Sequence, residues 1–110
     1  MTTTLETPET AALDLIDAIG EAVLGAAALH TALHDFAGAL HVDGALAGLA
    51  TIGDARIAAA TITDAACASD DPVGTLRIRA AAVRAGCWDC ADRQGLARAL
   101  DGAATVLDLM

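Results

Sequence analysis

Residues 8–42 read PETAALDLIDAIGEAVLGAAALHTALHDFAGALHV, and the fold turns on how this stretch is read. Leu15, Ile19, Ala22, Ala26, Leu29, Leu33, Phe36 and Leu40 recur in alternating steps of four and three. That spacing draws one apolar stripe along a helix. Asp14, Asp17, Glu21 and Asp35 fall towards the opposite side. Thr7-Pro8-Glu9 supplies the start: threonine can cap, proline suits the first helical position, and an acid favours the positive end of the dipole. Asp43-Gly44 supplies the stop. The stretch therefore predicts one helix over 8–42, about 50 Å long at 1.5 Å per residue. Such a rod is long for a chain of 110 residues, and Gly20, Gly25 and Gly38 are its natural bend points.

Outward from this helix the pattern weakens. Residues 1–7 read as a disordered tail. Residues 45–68 are rich in Ala, Gly and Thr, and Leu46, Leu49, Ile52, Ile57 and Ile62 point in several directions. A second helix over 45–68, with a break near Thr51–Asp54, fits this segment better than a strand over Arg56–Thr63. Alanine there is abundant and β-branched residues are few. Ser69-Asp70-Asp71-Pro72 marks the next boundary, with Asp71 as cap and Pro72 as first helical residue. Leu76, Ala80, Val83, Cys87 and Cys90 then share a face, which predicts a third helix over 72–90. The phase slips near Asp92–Gly95 and resumes at Leu96, Leu100, Ala103, Leu107 and Met110, which predicts a fourth over 92–109. Gly86 and Gly95 are the candidate breaks. The expected architecture is all-α: a single domain over 8–110, a small up-and-down bundle of three to four helices with a long first helix.

Composition bears on how that bundle is completed. Hydrophobic residues make up 55% of the chain, but many are alanine, and there is one Phe, one Trp and two Met. Alanine favours helix yet buries little area, so the core is thin. Homodimerisation is the expected remedy, with Leu15, Ile19, Leu29, Leu33, Phe36, Leu40 and Trp88 at the interface. Fifteen acids against six bases give a net charge of -9. Residues 1–55 hold eight of the acids and no base, whereas all six arginines lie from Arg56 onward. Opposite-sign halves can attract within one chain or favour antiparallel pairing of two. The acidic balance argues against nucleic acid, which demands basic charge. Arg77, Arg84, Arg93 and Arg98, interspersed with Asp89, Asp92 and Asp101, make no nucleic-acid stripe. The longest apolar stretch, Ala22–Leu33, is too short to cross a bilayer, and no basic segment marks it as a signal peptide. Three cysteines make no disulfide framework. The expectation is a cytoplasmic protein without membrane contact.

Two features carry chemistry. His30, His34 and His41 fall within about 40° of one another on a helix, on a second apolar face with Ile16, Val23 and Ala37. His30 and His34, spaced i, i+4, can reach one metal. The glutamate that would complete half of a zinc-protease signature is replaced by Thr31. The same histidines can serve as acid and base in a pocket, or as a pH switch at a seam. Cys87-Trp88-Asp89-Cys90 places two thiols three apart, a spacing that suits a redox dithiol or two corners of a zinc tetrahedron. Otherwise these thiols are small core residues, as is Cys67. Together His30, His34, Cys87 and Cys90 make the sharpest metal hypothesis, a tetrahedral zinc site clipping the first helix to the C-terminal ones. No phosphate-binding glycine loop and no Glu-x-x-His di-iron motif occurs. Without a convincing catalytic set, the leading expectation is a non-enzymatic protein that acts by self-association or by binding a protein partner, with no cofactor. The rivals are a pocket lined by His30 and His34 that binds a metal or small molecule, with or without enzymatic use, and a zinc or redox site at Cys87 and Cys90.

Overall fold

In the computed structural model, the helix that begins at Pro8 ends at Ile19. The structure describes residues 7–19 and 27–110, with backbone alone for residues 27–33 and for Ala68. The expected tail thus falls outside the described residues up to residue 6. Thr7 already belongs to the helix start, its Oγ1 accepting from the Thr10 N–H at 3.2 Å. Five helices are present among the described residues: α1 (Pro8–Ile19), α2 (Ala27–Asp43), α3 (Ile52–Ala68), α4 (Pro72–Arg84) and α5 (Arg93–Leu109).

The single long first helix, and with it the count of three to four, is therefore overturned. α1 and α2 run antiparallel, since Asp17 meets His34 at 3.1 Å while Glu9 meets His41 at 3.0 Å. The physical reason is burial. A straight rod with two apolar faces cannot cover both within one small domain, whereas a hairpin covers them at once. Gly20 and Gly25 stand in the interval between the helices, and glycine costs a helix interior about 1 kcal/mol relative to alanine. The seam misled because each half uses it separately: Phe36 and Leu40 on α2 are buried, while α1 buries Ala12 and Ile16 and leaves Leu15 and Ile19 half-covered.

The second predicted helix starts later than expected. Residues 44–48 form a turn, and Thr51 caps α3 by accepting from the Asp54 N–H at 3.1 Å. The segment 56–63 is helical. α4 is capped by Asp71, with Pro72 in its first turn, and it stops at Arg84 before residue 90 is reached. Gly44 and Gly86 adopt positive φ (71° and 84°), the left-handed conformation that glycine tolerates best. Each ends its helix in the same way. The Ala45 N–H reaches the Leu40 carbonyl and the Cys87 N–H reaches the Ala82 carbonyl, so carbonyls left over by α2 and α4 are satisfied.

Helix α1 packs on α2 and α3, α4 packs chiefly on α5, and α5 also touches α2 and α3. α5 is the central element, burying Leu96, Ala97, Ala99, Leu100, Ala103, Ala104 and Val106. Its start lies so close to the 44–48 turn that a Cβ on Gly95 would run into the Gly48 carbonyl oxygen. Among the described residues, twelve of the 23 buried apolar ones are alanine, so the core is as thin as its composition implied. The Cα radius of gyration is 13.2 Å, close to the value of about 13 Å expected of a compact chain this long. No described helix is long and apolar enough to cross a membrane.

Candidate functional site

The histidines are the first residues to place. All three lie on α2, but the His30 side chain is outside the described residues. His34 and His41 are exposed, and both pair across the hairpin with α1, His34 Nδ1 with Asp17 Oδ1 and His41 Nδ1 with Glu9 Oε1. These pairs hold helix to helix.

The thiols lie elsewhere. Cys87 follows the Gly86 turn and is exposed, Cys90 is half-buried in the α4–α5 connection, and both are free. Cys67 is exposed on α3, not buried as its sequence context suggested, because it falls outside the stripe formed by Ala58, Ile62 and Ala65. Burial pushes the Cys90 thiol above its ordinary range, Asp54 adds to the effect, Arg93 opposes it, and Asp89 and Asp92 reinforce it. Among the described residues, no three His, Cys, Asp or Glu side chains gather to hold a metal ion. His34, Cys87 and Cys90 are therefore not brought together.

One carboxylate, at the break expected near Thr51–Asp54, has a larger part. Asp54 is 2% exposed. Its Oδ1 accepts from the Ala91 N–H at 2.9 Å and its Oδ2 from the Asp92 N–H at 3.0 Å. Asp92 in turn caps α5 by accepting from the Gly95 N–H at 3.2 Å. The start of α3 is thus fastened to the start of α5 through charge-assisted bonds. A Thr-x-x-Asp pattern at residues 51–54 was the available signal, but it announces only a helix start.

Two of the surface grooves among the described residues are lined by large side chains. One, about 390 Å³, lies between α3 and α4 and is lined by Ile57, Ala60, Thr61, Asp64, Arg79 and Trp88. Arg79 sits over the Trp88 ring at 5.7 Å from its centroid, so tryptophan and arginine already occupy each other. The other, about 460 Å³, lies between the C-terminal ends of α2 and α5. It is lined by Gly38, Ala39, Val42, Asp43, Val106, Leu109 and Met110. Val42 is 88%, Leu109 80% and Met110 67% exposed. These large apolar side chains all line this one groove.

The residues expected at an interface are distributed differently. Phe36 and Leu40 are spent inside the protomer. Leu15 is half-buried beside Ile52 and Arg56 of α3. Ile19 and Trp88 are half-buried, and the side chains of Leu29 and Leu33 lie outside the described residues. Sequence reasoning missed Val42, Leu109 and Met110. The signal was the position of Val42 off the α2 stripe, next to His41. No protein-family model, curated protein or solved structure matches the chain.

Proposed function

We propose that this small helical domain acts by self-association, through the groove between the ends of α2 and α5. The observation that carries the reading is the exposure of Val42, Leu109 and Met110 around a single concave surface. Clustered apolar exposure of this kind marks an interaction surface, whereas single exposed apolar residues are ordinary. The alanine-rich core is a second support, because a protomer with few large side chains inside gains from covering those outside.

Magnitudes indicate a weak or moderate complex. Fully covering a valine, leucine or methionine side chain contributes about 1.5–3 kcal/mol. Association costs about 4–15 kcal/mol in lost freedom of motion. Three such side chains in a single contact come close to balance, so a stable assembly needs the contact more than once or needs further groups on the facing surface.

Sedimentation of the purified protein from 1 to 200 µM tests this reading, these being test concentrations on the order of a micromolar-range complex. A concentration-dependent rise above the monomer mass is expected, and Val42→Asp should abolish it without loss of helicity. A wild-type protein that stays monomeric throughout would overturn the proposal.

A further inference from the structure

The groove has a facing surface of the right chemistry on the same chain. Helix α4 contains Arg77, Arg79 and Arg84 and no acid. Between these arginines Ile78 is 71% exposed, the one large apolar residue that α4 leaves outside the core to this degree. Ala81 and Ala85 follow it on the same side and are exposed too. The outer face of α4 is therefore an apolar knob on a smooth, small-residue surface, flanked by positive charge. Arg77 and Arg84 share the single carboxylate of Asp101 on α5, and Arg79 lies over Trp88, so two guanidinium groups meet one acid and this side of the protein keeps a positive balance.

The groove is the counterpart. Asp43 lines it, and Asp108 is exposed next to Leu109. The α1–α2 hairpin behind it carries Glu9, Asp14, Asp17, Asp35 and Asp43 and no arginine. Groove against groove would set Asp43 and Asp108 of one copy beside the same residues of another, on molecules that each carry a net charge of -9. Groove against α4 sets acid against arginine and places an isoleucine in an apolar cleft. Complementary potential selects between these two pairings, because like-charge juxtaposition is penalised.

Resting on the self-association reading, we infer that the occupant of the groove is the outer face of α4 from a second copy, with Ile78 as the inserted side chain. Each copy then contributes a groove and a knob. A contact of this kind uses two different patches, so each copy can engage twice, and the assembly either closes on itself or extends.

Complementation between two single variants tests the assignment. Val42→Asp spoils the groove and leaves α4 intact, whereas Ile78→Asp spoils the knob and leaves the groove intact. Both positions are exposed, and circular dichroism checks that each variant keeps its helices. Each variant alone should sediment as a monomer, and an equimolar mixture should form a one-to-one complex. A monomeric wild type would remove the self-association reading itself. A wild type that associates while Ile78→Asp associates equally well would leave that reading standing and overturn the α4 assignment. Two monomeric variants that fail to complement each other would overturn it as well.

Discussion

Taking one oxygen from Asp54 would leave a backbone N–H facing an amide instead of a carboxylate. Both carboxylate oxygens are used, one for each N–H at residues 91 and 92. A hydrogen bond to a charged partner contributes about 1.5–3 kcal/mol, and a buried donor left unpaired costs a similar amount. Asp54→Asn should therefore lower stability by about 2–3 kcal/mol, read from the midpoint of urea unfolding at unchanged slope. Asp71, a cap on the exposed side of α4, should cost only about 1 kcal/mol on replacement by alanine. The same region sets the reactivity of Cys90. With Cys67 and Cys87 replaced by alanine, the alkylation rate of Cys90 should rise with a midpoint above the usual thiol value of about 8.5. The sign for stability follows. A thiol whose ionisation is suppressed in the folded state loses stability as pH rises past its unfolded value, until the native thiol ionises too. A midpoint at or below the ordinary thiol value would contradict the burial described for Cys90. Little at this scale was legible beforehand. Caps such as Thr7 and Asp71 can be read from a local pattern, but Asp54 acts on residues 37 and 38 positions away, and no local pattern encodes that.

Among the elements, the contrast between two glycines separates steric need from accident. Gly95 lies against the Gly48 carbonyl oxygen, and a methyl group there must push the 44–48 turn off α5. Gly95→Ala should cost about 1–3 kcal/mol, the usual range for overpacking. Gly38 sits inside α2 with nothing within 4 Å of a Cβ built on it. Gly38→Ala should stabilise by about 0.4–1 kcal/mol, since alanine suits a helix better and restricts the unfolded chain. Thermal unfolding of the two variants side by side checks both signs. The helical character of every segment was legible, and so were the boundaries that rest on a cap or a glycine, at Thr7-Pro8, Asp71-Pro72 and Gly44. The division of residues 8–42 was not. An apolar repeat of 3.5 continues unchanged whether the chain runs on or doubles back, because each half needs the same stripe for its own burial. What distinguishes the two is long-range: Asp17 opposite His34 and Glu9 opposite His41.

At the scale of the whole molecule, the thin core foreseen from composition is present, and two of the residues expected to compensate for it at an interface, Phe36 and Leu40, are buried within the protomer. A seam through Phe36 and Leu40 is a reasonable interface for a rod and an impossible one for a hairpin that has already folded those residues inside. Folding the rod left Val42 outside, beside Leu109 and Met110, and so moved the candidate contact to the end of α2. The uneven charge has its own consequence. Acids dominate the α1–α2 hairpin and arginines line α4, so the protein is a permanent electric dipole as well as a net anion. In the field of a neighbour such a body experiences a torque before it experiences contact. Two approaching copies would turn to present unlike poles while still separated by about 10 Å, the distance over which charges are felt at 0.1 M salt. Most unproductive encounters would then be discarded by rotation, and the rate of capture, more than the strength of holding, would carry the imprint of that charge division.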